Sequence, residues 1–165
     1  MTSKREHLSS SRILEALEKV MDPEIPVISI VEMGLIRDVS VEQDRVTVQM
    51  TPTFSGCPAL QTIKDGIEHC MRDLGGETVV VETVLDPPWS SDWITDQGRE
   101  KLRKFGLAPP PKHGGRIEVT FFESATCPYC DSQRTVIKND FGPTLCRSIY
   151  YCNSCQQPFE QFKAL

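Results

Sequence analysis

The chain has 165 residues, of which 39% are hydrophobic and 25% charged, a balance typical of a soluble globular protein with one domain or one domain plus a small module. No apolar run approaches the ~20 residues of a membrane span, and the polar residues 1–11 lack the apolar stretch of a signal peptide, so we expect a cytoplasmic protein without a membrane partner. The net charge of −5 is uneven: residues 1–86 hold 8 basic and 15 acidic residues, and residues 87–165 hold 10 and 8. Neither part matches a phosphate backbone, so we expect no nucleic-acid partner.

The first half of the chain predicts helices on one face of a small sheet. Val46, Val48 and Met50 alternate with polar residues, which indicates a strand with one buried face. The predicted elements are a helix over 9–21, strands over 35–41 and 45–51 around a turn at 42–44, a helix that begins near Cys57 and Pro58 and ends at Gly75 and Gly76, and a strand over 78–84. This order predicts an α+β fold with a small two-layer domain.

Prolines and glycines over 109–115 form the clearest linker in the chain. A polar-aromatic loop and a short helix over roughly 95–105, closed by Gly106, precede this linker. We therefore predict a first domain with its C-terminal extension over 11–108 and a second, β-rich domain over 116–165.

Five of the seven cysteines lie in the last 39 residues, which in a reducing setting favours a metal site over disulfides. Two Cys-x-x-Cys pairs, separated by 21 residues, provide four thiolates that can surround Zn²⁺ tetrahedrally: Cys127, Cys130, Cys152 and Cys155. Short strands are predicted around them over 117–122, 135–138 and 147–151. The pattern predicts a zinc ribbon with a structural Zn²⁺, although a rubredoxin-like iron site would use the same ligands.

The role of the ribbon has two interpretations. With 5 basic and 5 acidic residues over 116–165, the module is neutral, which favours an ordered docking surface over a nucleic-acid-binding ribbon. Cys146 lies outside the two pairs, and is either a small buried hydrophobe or a ligand that exchanges.

Cys57 lies where a predicted strand end meets a predicted helix start. Free backbone amides and the positive end of the helix dipole favour a thiolate there, so we predict a depressed pKa for Cys57 and a thiol suited to transient metal or iron–sulfur ligation. The alternative is a Cys57 that packs under the sheet. Cys70 falls in the apolar stripe of the same helix and is predicted to be core.

No arrangement of catalytic residues is visible along the sequence. His7, His69 and His113 are scattered, and no Ser-His-Asp pattern, phosphate loop or dinucleotide fingerprint can be found. We therefore expect an accessory protein and not a catalyst of substrate chemistry.

Four segments of the first half together carry a resemblance to a known family. Residues 22–26 (DPEIP), 33–36 (MGLI), 51–53 (TPT) and 57–58 (CP) resemble the MIP18 family of iron–sulfur assembly domains over about residues 11–86. The resemblance implies that Cys57 is the thiol that handles a transient iron ion or iron–sulfur cluster, with Asp22 and Thr53 nearby. One thiolate is too few for a cluster, so a homodimer that shares two Cys57 residues is a hypothesis.

Five further segments extend the resemblance to nearly the whole chain. Residues 89–94 (WSSDWI), 106–110 (GLAPP), 127–130 (CPYC), 141–144 (FGPT) and 158–160 (PFE) resemble the D-protein family of phenylacetate degradation. This family implies an accessory role in maturing the multicomponent phenylacetyl-CoA 1,2-epoxidase, a monooxygenase, with its reductase or its di-iron oxygenase as partner. Some MIP18 relatives lack a ribbon, so the ribbon is expected to select the partner. The rival interpretation is a structural docking subunit in which Cys57 is inert.

Overall fold

The computed structural model describes residues 8–43, 45–114 and 125–164. The chain folds into two compact units that divide between Pro88 and Trp89. Helices and strands occur in both units, and the second contains a β-rich ribbon, so the predicted α+β class is confirmed. In the described part of the chain, no helix is long and apolar enough to cross a bilayer.

The first unit packs two helices on one face of a three-stranded sheet. Its elements are α1 (Ser10–Leu17), β1 (Ile36–Glu42), β2 (Arg45–Met50), α2 (Leu60–Asp73) and β3 (Thr78–Thr83). Strand β2 is central and pairs antiparallel with β1 and parallel with β3. Val46, Val48 and Met50 are fully buried, as their alternation predicts. Polar partners such as Ser40 and Thr47 pair across the opposite face of the sheet.

Helix α1 is shorter than predicted and ends at Leu17 rather than near Met21. The N-terminal prediction is confirmed, because the Ser9 side chain accepts a hydrogen bond from the Arg12 N–H. Beyond the C-terminal end of the helix, the Val20 carbonyl accepts a hydrogen bond from the Ile30 N–H at 2.9 Å, a partner outside the helix. Tertiary hydrogen bonds there replace the helical ones that the apolar spacing predicted.

Helix α2 begins three residues after Cys57, so the predicted helix start near Cys57 and Pro58 was wrong. Residues 57–59 form a turn instead, and no side chain caps the helix. The C-terminal prediction is confirmed. Gly75 adopts a φ of 93°, its N–H donates to the Arg72 carbonyl, and the Gly76 N–H donates to the Met71 carbonyl, which together form a Schellman motif.

The second unit contains a four-stranded sheet with the order β4-β7-β6-β5. Its elements are a 3₁₀ helix (Ser91–Trp93), α3 (Asp96–Phe105), β4 (Leu107–Ala108), β5 (Thr135–Asn139), β6 (Arg147–Cys152) and β7 (Pro158–Phe162). The predicted short helix that Gly106 closes is confirmed as α3, which Thr95 caps through the Gly98 N–H. Strands β4 and β7 were not predicted, and they pair parallel with one another.

Residues 89–108, which the sequence analysis assigns to the first domain, lie in the second unit because β4 pairs with β7. Contacts with α3 also hold the described part of the predicted linker, residues 109–114. Pro110 is buried and its carbonyl accepts a hydrogen bond from the Arg99 guanidinium, while Lys112 forms an ion pair with Asp96 at 2.7 Å. The predicted strand over 117–122 lies outside the described residues.

Candidate metal centres

The two Cys-x-x-Cys pairs come together in the second unit as predicted. The Sγ atoms of Cys127, Cys130, Cys152 and Cys155 all lie within 4.8 Å of one another. The Sγ atoms of Cys127 and Cys155 are 3.7 Å apart, and those of Cys130 and Cys152 are 3.6 Å apart. Four sulfurs at ~2.3 Å from a tetrahedral zinc ion are about 3.8 Å from one another, so the donor set fits such an ion.

The two halves of this cluster have the same local geometry. The Asp131 N–H donates to the Cys127 carbonyl at 3.0 Å, and the Gln156 N–H donates to the Cys152 carbonyl at 2.9 Å. Asp131 and Gln156 each follow the second cysteine of their pair, and each adopts a φ of 59°. This left-handed residue turns the chain back toward the cluster, so each knuckle presents two sulfurs on one side.

The hydrogen bonds and burial of the cluster shift the thiol pKa values in opposite directions. The Cys155 and Ser154 backbone amides point at the Cys152 sulfur and lower its pKa to about 6. Restricted hydration and the neighbouring sulfurs raise the pKa of Cys155 to about 12, and burial raises the pKa of Cys127. A bound cation compensates the negative charge that the thiolates bring together.

Two of the four cysteines are also members of a hydrophobic cluster in the second unit. The buried members of this hydrophobic cluster are Ala108, Ala125, Cys127, Tyr150, Cys152 and Phe159. The Tyr150 and Phe159 rings stack with centroids 5.7 Å apart. Metal coordination and apolar packing therefore hold the same strands.

Cys57 lies half-buried in the connection between β2 and α2. Its N–H donates to the Phe54 carbonyl at 3.1 Å, and its carbonyl accepts from the Leu60 N–H at 3.2 Å. The neighbouring Phe54, Ser55 and Gly56 are exposed. Cys57 thus stands on a turn at the surface of the first unit rather than in the first turn of α2, where the prediction of a depressed pKa had placed it. The depressed pKa itself stays a prediction.

The resemblance places Asp22 and Thr53 near Cys57. Asp22 lies in the connection between α1 and β1, and Thr53 lies four positions before Cys57 in the connection between β2 and α2. The Asp22 Oδ1 accepts hydrogen bonds from the Glu24 N–H at 2.8 Å and the Ile25 N–H at 2.9 Å, so this carboxylate orders its own turn. Thr53 is half-buried. Among the described residues, three or more metal-binding side chains come together only in the four-cysteine cluster, so Cys57 is not grouped with two others.

The remaining two thiols are half-buried and lie outside the cluster. The Cys70 Sγ donates to the Ala16 carbonyl at 3.4 Å between α2 and α1, and burial raises the pKa of Cys70. The Cys146 Sγ lies 3.1 Å from the Thr144 hydroxyl. Each of these two thiols therefore has a polar neighbour within its own unit, and neither belongs to the four-cysteine ligand set.

The fold assembles one polar cluster that the sequence analysis missed. The Ser90 hydroxyl lies 3.4 Å from the His113 Nε2, and the His113 Nδ1 lies 3.5 Å from the Asp92 Oδ2. The Ser90 hydroxyl also accepts from the Asp92 N–H, so it caps the 3₁₀ helix, while the His113 N–H donates to Asp92 at 2.9 Å. His113 is more than 20 positions from its partners, so no local motif could reveal them.

Two family models match the chain. Residues 10–83 match the iron–sulfur cluster assembly protein family, and residues 117–163 match the PaaD zinc beta ribbon domain. The MIP18-type resemblance of the first half is therefore confirmed, as is the ribbon of the second half.

Similar proteins cover either the whole chain or its first half. An Escherichia coli (strain K12) protein, provisionally named as one of the subunits of 1,2-phenylacetyl-CoA epoxidase, is 38% identical over 149 residues, which are 90% of this chain and 89% of that protein. A Bacillus subtilis Fe-S protein maturation auxiliary factor is 38% identical over 53% of this chain and 86% of its own length. A conserved hypothetical protein from Thermotoga maritima has a solved structure that superposes with a TM-score of 0.52 at 31% identity, over 61% of this chain and 98% of that one. The chain therefore belongs to the PaaD family, with an iron–sulfur cluster assembly domain followed by a PaaD zinc beta ribbon domain.

Proposed function

We propose that this protein is a cytoplasmic accessory factor that helps to mature the multicomponent phenylacetyl-CoA 1,2-epoxidase of aerobic phenylacetate catabolism. In this proposal the first unit carries iron or an iron–sulfur cluster on Cys57 to the reductase or the di-iron oxygenase. The name of the E. coli relative supports the choice of complex, and the name of the B. subtilis relative supports a role in Fe-S protein maturation.

The observation that carries the proposal is the position of Cys57. It stands on a surface turn, half-buried and next to exposed residues, within the region that matches the iron–sulfur cluster assembly family. A carrier thiol has to be reachable by a donor and an acceptor, and a fully buried cysteine would not be. Asp22 and Thr53 are proposed to act with Cys57, as the family resemblance implies.

We propose Zn²⁺ as the metal of the four-cysteine cluster and a structural role for it. The sulfur-to-sulfur distances suit a closed tetrahedral site, in which no position remains open for a substrate. The ribbon then contributes an ordered surface for a protein partner of the epoxidase complex.

We also propose that two copies of the chain share one cluster. A cluster needs several thiolates, and within the described residues Cys57 belongs to no group of three or more metal-binding side chains. A dimer with one Cys57 from each copy would supply two of them. A mass measurement that gives a monomer before and after anaerobic loading would exclude this arrangement.

The proposal is tested by measuring iron, zinc and acid-labile sulfide per chain after anaerobic reconstitution. We expect about one zinc per chain in the wild type and in Cys57→Ser, with iron and sulfide retained only by the wild type. Cys70→Ser is the matched control, since it removes a half-buried thiol from the same unit. The assignment of iron binding to Cys57 would be refuted if Cys57→Ser retained iron. It would also be refuted if Cys70→Ser lost iron while Cys57→Ser kept it.

The second candidate function is a docking subunit without a metal-handling role. The match to a PaaD zinc beta ribbon domain over residues 117–163 favours it, because a closed four-cysteine site orders a surface without transferring its metal. It requires that the protein remain bound to the oxygenase in a fixed ratio and that Cys57→Ser leave the epoxidase fully active. Loss of epoxidase activity in a complex that still contains Cys57→Ser would reject this candidate.

A further inference from the structure

One side of the ribbon sheet in the second unit carries an open groove of about 360 Å³. Its lining comes from α3, the first knuckle and three strands: Phe105, Gly106, Leu107, Tyr129, Arg147, Ile149, Pro158, Phe159 and Glu160. Glu160 pairs with Ile149 on one neighbouring strand and with Leu107 on the other, so its backbone position lies between two apolar residues of the groove floor.

The carboxylate of Glu160 is the more accessible charge on this floor. Its Oε2 accepts from the Arg147 Nη1 at 2.9 Å, and the Arg147 side chain is 10% exposed while that of Glu160 is 32% exposed. A carboxylate has two acceptor oxygens, so the pairing with Arg147 leaves acceptor capacity on Glu160. The groove therefore offers an acceptor for a hydrogen-bond donor.

Two aromatic side chains form the exposed walls. Phe105 is 48% exposed and Tyr129 is 56% exposed. A Cβ on Gly106 would lie 3.0 Å from the Tyr129 hydroxyl, so the absence of a side chain lets the Tyr129 ring rest against the backbone. The faces of such rings attract cations.

Helix α3 also favours a cation in the groove, because the helix ends there. Its last residue is Phe105, and the C-terminal end of a helix carries partial negative charge. The two basic residues in the last turn of α3 already have acidic partners: Arg103 forms an ion pair with Asp131, and Lys104 forms one with Glu100 at 3.4 Å.

From these three features we propose that the groove binds an arginine side chain that projects from a partner protein. The planar guanidinium would lie between the Phe105 and Tyr129 rings and donate to Glu160. Arginine suits this site better than lysine, because its planar group stacks on aromatic rings and forms directed hydrogen bonds to carboxylates. This site does not depend on metal handling by Cys57.

The test is an NMR titration of the isotope-labelled, zinc-loaded full chain with N-acetylarginine amide. We expect saturable shifts of the Gly106, Leu107 and Ile149 amides. N-acetylcitrulline amide has a similar shape without the charge and is expected to leave them unmoved. Glu160→Gln should weaken arginine binding about tenfold, because it removes a charge-assisted hydrogen bond. Asp140→Asn is the matched control, since it neutralises an exposed carboxylate of the same unit that does not line the groove.

Glu160→Gln also removes the ion-pair partner of Arg147, so two further variants keep the test independent of folding. Phe105→Leu and Tyr129→Leu leave the Arg147–Glu160 pair in place and remove one wall each, and both should weaken binding. Equal shifts with arginine and citrulline would overturn the proposal, as would binding of N-acetylglutamate amide at the same residues. Unchanged arginine affinity in Phe105→Leu and Tyr129→Leu would overturn it as well.

Discussion

At the scale of single residues, Asp22 has a structural task that its sequence context did not reveal. A proline follows Asp22 directly and Glu24 follows the proline, a pattern typical of solvated acids just after a helix, yet Asp22 is only 8% exposed. Its carboxylate accepts two backbone N–H groups, one of which belongs to the buried Ile25. The side chain therefore closes the turn between α1 and β1 and holds Ile25 in the core.

Replacing Asp22 by alanine tests this structural task. We expect Asp22→Ala to lower the free energy of unfolding of the first unit by about 2–3 kcal/mol, because two amides lose a charged acceptor in a partly buried site. Asp22→Asn retains an acceptor oxygen and should lose about 1 kcal/mol or less. Urea denaturation followed by circular dichroism measures both, and equal stability of wild type and Asp22→Ala would contradict the role.

The same pair of variants separates the structural task from the proposed metal-handling one. If Asp22 acts only through the turn, Asp22→Asn will load iron like the wild type. If its charge also serves the Cys57 site, Asp22→Asn will lose iron although its fold is intact.

At the scale of elements, the sequence predicted those that depend on local pattern. The alternation of Val46, Val48 and Met50 defined β2, and Gly75 defined the end of α2. The two cysteine knuckles were also predictable, since each spans four residues. In contrast, the end of α1 depends on a hydrogen bond from Ile30, which lies ten positions beyond Val20 and leaves no local signal.

The elements that the sequence did not reveal are short or depend on distant partners. Strand β4 has two residues, and it is a strand only because β7 lies beside it. The Gly-Pro composition of residues 109–115 is typical of a free linker, but Arg99 contacts the carbonyls of Ser91, Ile94 and Pro110. Burial lowers the pKa of Arg99, which reflects its enclosed position. The proline and glycine content of a segment indicates how stiff its backbone is, but it does not indicate which distant residues the segment contacts.

Arg99→Met should release the segment that follows β4. The buried Pro110 carbonyl would lose its charged donor, so the free energy of local opening should fall by about 1–3 kcal/mol. We expect the amides of Lys112 and His113 to exchange with deuterium roughly 10–100-fold faster at constant pH. Lys104→Met, which changes an exposed residue of the same helix, is the control. Unchanged exchange in Arg99→Met would show that other contacts hold the segment.

At the scale of the whole molecule, the two units should differ in their dependence on metal. The core of the second unit includes two of the four metal-binding cysteines, whereas that of the first unit is built from apolar helix and strand residues. Removal of the metal by a chelator should therefore unfold the second unit and leave the first folded.

This expectation is measured by NMR of the full chain before and after chelation, with Cys152→Ser as the genetic equivalent. We expect dispersed signals from β1 to β3 in both states and loss of dispersion over residues 125–164 in the metal-free state. Cys146→Ser, which removes a thiol outside the cluster, should resemble the wild type. Simultaneous collapse of both units, or of neither, would contradict the division.

The position of β7 in its sheet has a consequence for protein synthesis. Strand β7 is the last of the four strands to leave the ribosome, yet it lies between β4 and β6. Leu107 of β4 can pair with Glu160 of β7 only after Glu160 has been synthesised, about 50 residues later. At common translation rates this takes roughly 3–10 s. During that interval the Trp89 ring also lacks Phe162, against which it later packs at 5.8 Å. The start of the second unit, from Trp89 to Ala108, thus exposes apolar surface in the nascent chain until β7 has been synthesised, and a chaperone would protect it.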